Sequence, residues 1–224
     1  MAGNQGNAVQ RVLVTGFEPF GGEKTNAAWE AVRRLAGTKP EGAEVVVVQL
    51  PTVFGRSIDA LREAIRETQP DIVICVGQAA GRKEITPERV AINIDDARIP
   101  DNDGASPIDK PIVPGGPAAY WSTLPIKVIV RDIRQAGIAA AVSNSAGTFV
   151  CNHLFYGLAH LIATEYPQKR GGFIHVPVTP EQLVEARLDL PGMTLDHIVR
   201  GLELAVAASV RVERDIEEEG GQIH

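Results

Sequence analysis

The chain has 224 residues, of which 44% are hydrophobic and 22% charged, and its formal net charge is −6 at pH 7. This composition is typical of a single soluble globular domain. The negative charge argues against nucleic acid or an anionic membrane as partner, and no apolar run approaches the roughly 20 residues of a membrane span. The two cysteines form neither a disulfide framework nor a metal or redox pair, which predicts a cytoplasmic protein.

The sequence predicts that strands and helices alternate over the first third of the chain. Apolar runs predict strands at residues 12–15, 44–50 and 71–77, and helical periodicity predicts helices at 27–35 and 56–67. Asn26 has the residue type and the position of an N-cap for the first helix. Strands that are apolar throughout belong to sheets covered on both faces, so the alternation predicts a parallel sheet wound with helices.

The pattern changes in the middle of the chain. Residues 78–117 are rich in Gly, Pro and Asp, and an irregular region of this length is typically functional or covers something. Within it, residues 90–94 alternate weakly, as in a short strand. Residues 118–135 are predicted to be helical with a break near Pro125. The remaining predicted elements are a strand at 138–142, a helix at 154–166, a strand at 172–176 and a helix at 195–212.

The predicted fold class is therefore α/β. We expect one domain over residues 10–216, an open, twisted, mostly parallel sheet sandwiched by helices, as in phosphorylases and hydrolases. Residues 1–9 are predicted to be a mobile extension, and residues 217–224, which begin with an acidic run, are predicted to be a flexible tail.

Cys151 is the strongest candidate for a reactive group. It follows a predicted strand and a glycine-containing turn, and it lies close to the start of a helix. Unpaired backbone N–H groups and the helix dipole at such a position favour the thiolate. The alternative is a small buried hydrophobe, which is common for free cysteine. In open α/β sheets ligands collect at the carboxyl ends of the strands, where this turn also lies.

A cysteine nucleophile needs an imidazole partner, and the chain has five histidines. In one helix, His153 and His160 would point about 200° and 180° away from Cys151 at about 100° per residue. His197 lies opposite an apolar stripe and is predicted to be solvated, and the last residue of the chain is a histidine at a free end. His175 remains, because it ends a predicted strand at the same sheet edge. A structural, hydrogen-bonded histidine is an equally good interpretation of that residue.

Spacing alone does not choose the carboxylate or amide that would orient this imidazole. The candidates are Glu84, Glu88, Asp95, Asp96, Asp101 and Asp103. Glu88 is favoured slightly, because the preceding Pro87 restrains its backbone, but each of the six is also consistent with a solvated loop carboxylate. No His/Cys/Asp/Glu spacing matches a zinc site, so no metal is expected.

Three segments resemble the type I pyroglutamyl peptidases, also called pyrrolidone-carboxylate peptidases. They are residues 16–22 (GFEPFGG), 85–93 (ITPERVAIN) and 145–152 (SAGTFVCN), in the order of that family. The similarity extends from about residue 11 to residue 212. The resemblance implies an open α/β sandwich and a cysteine peptidase that removes N-terminal pyroglutamate from peptides. It implies no cofactor, and it implies a homo-oligomer, a dimer or a tetramer.

Residue by residue, the resemblance implies a triad of Cys151 as nucleophile, His175 as base and Glu88 as orienting carboxylate. The backbone N–H of Cys151 and the side chain of Arg98 would lie at the oxyanion. The matching ring-pocket positions are Phe17, Phe20, Thr52, Ile99, Phe149 and Val150, and the lactam contacts fall on Asn26 and Gln78. Aromatic walls suit the flat faces of an uncharged lactam, and buried polar partners reject residues that lack its N–H and C=O groups.

Two other functions are compatible with this kind of sheet. The first is a non-catalytic module that binds a small lactam-like ligand, with Cys151 structural. The second is a nucleoside phosphorylase-like enzyme. That chemistry needs a phosphate site, for which Arg82 and Arg98 are available, but no glycine-rich cradle before a helix N-terminus accompanies them.

Overall fold

The structure is a computed structural model that describes residues 9–220. Its main sheet has five strands in the order β2-β1-β3-β7-β4, and a small antiparallel sheet pairs β5 with β6. The strands are β1 Arg11–Phe17, β2 Glu44–Leu50, β3 Ile72–Gln78, β4 Thr86–Pro87, β5 Val90–Ile92, β6 Ala119–Trp121 and β7 Arg170–Val176. β1, β2, β3 and β7 pair in parallel and β4 pairs antiparallel with β7, so the predicted mostly parallel sheet is confirmed.

Helices cover both faces of this sheet. They are α1 Ala27–Val32, α2 Arg56–Thr68, α3 Ile126–Gln135, α4 Val150–Thr164, α5 Pro180–Ala186 and α6 Leu195–Arg211, with two 3-10 turns at Arg33–Leu35 and Pro40–Gly42. Residues of α1, α3 and α6 form one apolar cluster with alternate residues of β1 and β3, and residues of α2 and α4 form a second cluster with the intervening ones. Both faces of the central strands are therefore buried, which explains their continuous apolar sequences.

Two predicted elements differ in the structure. Residues 118–125 are not helical: β6 lies there, and α3 begins immediately after Pro125. The strand expected at 138–142 instead forms isolated parallel bridges, Ile85 with Ala140 and Glu88 with Ser143. The physical reason is Pro87, which lies between the two bridges and has no backbone N–H with which to complete the ladder.

The C-terminal segment packs back onto α3. Both carboxylate oxygens of Asp215 accept from the backbone N–H of Lys127, and Oδ1 also accepts from that of Val128. In the described part of the predicted tail, the carbonyl of Glu218 accepts from Lys127 Nζ and that of Gly220 from Arg89 Nη2. Residues 1–8 of the predicted extension and residues 221–224 of the predicted tail lie outside the described residues. Between residues 9 and 220, no helix has the length and apolarity to cross a membrane.

Candidate active site

Cys151 is the second residue of α4, which begins at Val150, four residues before the predicted helix. The thiol therefore lies close to a helix start, as the sequence predicted. The preceding turn passes through Gly147, whose φ of 75° lies in the left-handed region that favours glycine. Phe149 is the N-cap residue and makes no side-chain capping bond. The backbone N–H groups of the first turn have no partner within a helix, so the N–H of Cys151 is free of the helical ladder and available to an anion.

Cys151 and His175 meet at the carboxyl end of the sheet. Gly77 on β3 pairs with His175 on β7, and paired residues of neighbouring strands project to the same face. The sulfur of Cys151 lies on that face, because a Cβ added to Gly77 would be only 2.9 Å from Cys151 Sγ. The thiol and the imidazole therefore lie on the same face of the sheet, and both line one cavity.

Glu88 holds the other side of the imidazole. Its Oε1 atom lies 2.7 Å from His175 Nδ1, and both side chains are almost completely buried. The backbone N–H of Glu88 donates to the carbonyl of Phe173 on β7, which fixes the carboxylate beside the strand that carries His175. Because an ionised carboxylate only accepts, Nδ1 carries the proton and Nε2 is left as an acceptor on the side away from Glu88.

Burial sets the protonation of this pair. Burial lowers the pKa of His175 below its ordinary value, although the hydrogen bond and the charge of Glu88 act in the opposite direction. Burial also raises the pKa of the Cys151 thiol to about 12, and the charge of Glu88 adds to this effect. The free site therefore holds a neutral thiol beside a neutral imidazole. At Cys151, burial acts against the expected effect of the helix start, which favours the thiolate.

Arg82 is a member of this cluster to which the sequence assigned no such role. Its Nη1 atom lies 2.7 Å from Glu88 Oε1 and also donates to the Thr86 hydroxyl, and its Nη2 atom donates to the carbonyl of Ser145 at 3.1 Å. Its charge lowers the pKa of both Cys151 and His175. The sequence carried a weak signal for this contact, because Arg82 and Glu88 lie six residues apart in one irregular segment.

The cavity beside the thiol has a volume of about 590 Å³. Seven of the residues expected at the site line it: Phe20, Gln78, Arg98, Ile99, Phe149, Cys151 and His175. Phe149 contacts Phe20, with ring centroids 6.1 Å apart, and meets Phe54 edge-on at 5.4 Å. Glu23, which sequence reasoning did not place there, also lines the cavity, and so does Asp96, one of the six acidic residues considered as the orienting carboxylate. The wall is thus partly aromatic and partly charged.

The other four expected pocket residues are buried and do not line this cavity. Phe17 packs against Phe173, with ring centroids 6.4 Å apart, and Val150 is in the core. The Thr52 hydroxyl donates to the carbonyl of Glu18. Asn26 caps α1 by accepting from the N–H of Ala28, and its amide donates to the same Glu18 carbonyl. These residues support the loop that carries Phe20.

The side chain of Gln78 already has several partners inside the protein. Its Oε1 atom accepts from the N–H of Ala27 at 2.7 Å and from Gln182 Nε2 at 2.9 Å, and its Nε2 atom donates to Glu23 Oε2 at 2.5 Å. Any new contact of this side chain with a lactam would use its second amide hydrogen. The backbone of Gln78, at the last position of β3, is the alternative.

The histidines that the sequence set aside have other environments. His153 Nδ1 lies 2.8 Å from Asp95 Oδ2, and its Nε2 accepts from the backbone N–H of Gly55 at 2.8 Å. His160 is hydrogen-bonded to the hydroxyl of Tyr120, and His197 is exposed. Among residues 9–220 there is no group of three or more His, Cys, Asp or Glu side chains arranged to hold a metal ion.

Comparison with known proteins gives a consistent assignment. The model of a protein family described as "Pyroglutamyl peptidase" matches residues 10–212 of this chain. The pyrrolidone-carboxylate peptidase of Streptomyces coelicolor is 57% identical over 215 residues, covering 96% of this chain and 99% of that protein. That of Bacillus licheniformis is 56% identical over 214 residues, with the same coverage.

Solved structures give the same result. The crystal structure of pyroglutamyl peptidase I from Bacillus amyloliquefaciens superposes with a TM-score of 0.92 at 55% identity, covering 95% of this chain and all of that one. A pyrrolidone carboxyl peptidase mutant from Pyrococcus furiosus gives a TM-score of 0.87 at 44% identity, covering 90% of this chain and 99% of that one. By sequence and by structure, this chain belongs to the pyroglutamyl peptidase family.

Proposed function

We propose that this protein is a cysteine exopeptidase that hydrolyses the amide bond after an N-terminal pyroglutamate residue of peptides. Membership in the family supports the substrate class. The observation that carries the chemistry is the 2.7 Å hydrogen bond between Glu88 and a buried His175, beside the sulfur of Cys151 and facing one cavity. A nucleophile, a base and an orienting carboxylate in this arrangement are the parts that acyl transfer requires.

The proposed reaction begins from the neutral pair. Nε2 of His175 takes the proton of Cys151 as the sulfur attacks the pyroglutamyl carbonyl, so charge develops only during the reaction. The backbone N–H of Cys151, at the start of α4, and the side chain of Arg98 stabilise the oxyanion. His175 then returns the proton to the leaving amine. Water activated by His175 hydrolyses the thioester and releases pyroglutamate, while Glu88 keeps the imidazole in one tautomer.

The walls of the cavity suit an uncharged lactam ring. Phe20 and Phe149 present aromatic surface to its faces, and Ile99 adds an aliphatic wall. The lactam N–H and C=O would find partners at Gln78, and peptides without those groups would leave buried polar atoms unpaired. Asn26, the other expected lactam contact, does not line the cavity and would act by holding the loop that carries Phe20. Phe17, Thr52 and Val150 do not line the cavity and would contribute to the proposed ring pocket only by packing behind the residues that do.

The proposal extends to the organisation of the protein. Residues 10–216 act as one catalytic domain without a cofactor, in the cytoplasm. We also propose a homo-oligomer, a dimer or a tetramer, because exposed apolar side chains cluster on α5 and the segment after it, at Val184, Leu188 and Leu190. Light scattering after size-exclusion chromatography measures this state, and a monomer at micromolar concentration would contradict it.

A pyroglutamyl-coumarin amide tests the reaction directly. We expect the wild-type protein to release the fluorescent amine, and iodoacetamide to abolish the release. Cys151→Ser and His175→Ala should both be essentially inactive, whereas Cys75→Ala is the matched control, because that fully buried thiol lies outside the cavity. A protein that binds the compound without releasing amine would be a binding module, and near-normal turnover of either active-site variant would refute the mechanism.

A further inference from the structure

One oxygen of the Glu88 carboxylate contacts both of its side-chain partners, His175 and Arg82. Oε1 lies 2.7 Å from His175 Nδ1 and 2.7 Å from Arg82 Nη1, and the side chain is fully buried. Within the part of the chain that the structure describes, Oε2 has no hydrogen-bond partner. A buried carboxylate facing only a neutral imidazole would carry an uncompensated charge, and the guanidinium of Arg82 supplies the compensating one.

Arg82 also reaches the turn that carries the nucleophile. Its Nη2 atom donates to the carbonyl of Ser145 at 3.1 Å, six residues before Cys151, and Nη1 donates to the hydroxyl of Thr86. Its side chain is 26% exposed, so most of the side chain is held within the protein. A planar fork with several donors can span two such acceptors at once, and the single ammonium of a lysine cannot.

We propose that Arg82 is a positioning residue of this active site. It holds the carboxylate of Glu88 and the turn before Cys151 together, and it neutralises the charge of Glu88 beside the thiol and the imidazole. The inference rests on the proposed function, in which Cys151 and His175 react. Arg82 acts on them only through Glu88, through the turn and through its field.

The charge of Arg82 shifts the pKa of both reacting groups in the same direction. It lowers the pKa of the Cys151 thiol and of the His175 imidazole, whereas Glu88 raises both. Replacing the guanidinium with a neutral side chain should therefore raise both values. His175 would then be protonated, and unable to act as base, up to a higher pH, and the thiol would be harder to ionise.

The first experiment measures kcat/KM against pH for Arg82→Met and Arg82→Lys, with Arg200→Met as a control at an exposed ion pair on α6. We expect Arg82→Met to lose about 10- to 100-fold at neutral pH, mainly in kcat, with the acid limb displaced to higher pH. Arg82→Lys should keep the acid limb of the pH profile near that of the wild type, but its kcat should recover only in part. Arg200→Met should match the wild type throughout.

The second experiment asks whether Arg82 acts through the carboxylate. In a Glu88→Gln background, Arg82→Met should add less than about a threefold further loss in kcat, because the carboxylate that it holds and compensates is gone. The acid limb should still move to higher pH, because the direct effect of the Arg82 charge on His175 is lost in both backgrounds. An unmoved acid limb in the wild-type background, or the same loss of kcat in both backgrounds, would overturn the proposal. If Arg82→Met does not fold, Arg82→Gln takes its place in both experiments.

A third measurement does not depend on peptidase turnover. The rate at which iodoacetamide alkylates Cys151, followed at pH 8 by peptide mass spectrometry, should fall severalfold in Arg82→Met and stay near that of the wild type in Arg82→Lys. Equal rates in all three proteins would refute the electrostatic role. If the wild type releases no amine from a pyroglutamyl substrate, the proposed function fails, and the alkylation rates still decide the role of Arg82.

Discussion

The sulfur of Cys151 lies 2.9 Å from the point where Gly77 would carry a Cβ atom, and Phe173 Cζ lies 2.8 Å from the same point. Glycine at this position is therefore required for space rather than for its backbone angles. The absent side chain lets α4 approach β3 closely enough to place the thiol beside His175, which pairs with Gly77 across the sheet.

Gly77→Ala tests this requirement. A methyl group at the site must displace either the sulfur or the ring of Phe173, and overpacking of this kind costs about 1–3 kcal/mol of unfolding free energy. We expect a loss of the order of 100-fold in kcat, because small displacements of reacting groups are costly. Urea denaturation and steady-state kinetics measure both effects. Normal turnover of this variant would show that the close contact between helix and strand is not needed for catalysis.

His153 and His175 are both buried, but we expect removal of His153 to lower stability and removal of His175 to lower activity. His153 links Asp95 to the backbone of Gly55, so His153→Ala leaves a buried carboxylate without its imidazole partner. This should cost about 2–4 kcal/mol of unfolding free energy. His175→Ala should instead lower kcat by the order of 10³-fold or more.

Kinetics and chemical denaturation of the two variants separate these roles. His197→Ala, at an exposed position of α6, is the matched control and should change neither quantity. If His153→Ala were fully stable but inactive, the wrong histidine would have been assigned as the base.

The sequence predicted most of the sheet because β1, β2 and β3 each contain an apolar run and β7 has a short one, and it predicted the family from three segments. It failed where the partner of a segment is distant in sequence. Residues 119–121 become a strand only by pairing with Val90–Ile92, and no local pattern in 118–135 carries that information. Elimination led to His175, but the choice of Glu88 among six acidic residues needed the resemblance, because loop geometry brings it to the imidazole.

Because folding lowers the pKa of His175, the protein should become less stable as the pH falls. An unfolded imidazole binds a proton near pH 6.5, whereas the folded one stays neutral to lower pH because burial disfavours its charge. As the pH falls below about 6.5, the unfolded state therefore gains protons that the folded state lacks, and stability decreases by up to about 1.4 kcal/mol per pH unit.

His175→Gln isolates this contribution from that of the carboxylates. Its unfolding free energy, measured with urea between pH 7 and pH 5, should decrease less steeply than that of the wild type by up to about 1.4 kcal/mol per pH unit. The acid limb of wild-type kcat/KM should lie below pH 6.5, since the neutral imidazole is the base. Parallel stability curves for the two proteins would contradict the neutral, buried state of His175.

The last prediction concerns Asp215, whose carboxylate accepts from the first backbone N–H groups of α3, at Lys127 and Val128. Pro125 at the helix start offers no side-chain cap, so a residue from the far end of the chain performs this role. Asp215→Ala should cost about 1 kcal/mol of unfolding free energy and lower Tm by a few degrees, and Asp215→Asn should cost less, because an amide oxygen still accepts. Lys127→Ala keeps the backbone N–H and should have little effect. Because Asp215 does not line the cavity, kcat/KM should stay unchanged, and a fully stable Asp215→Ala would show that the C-terminal segment does not cap α3 in solution.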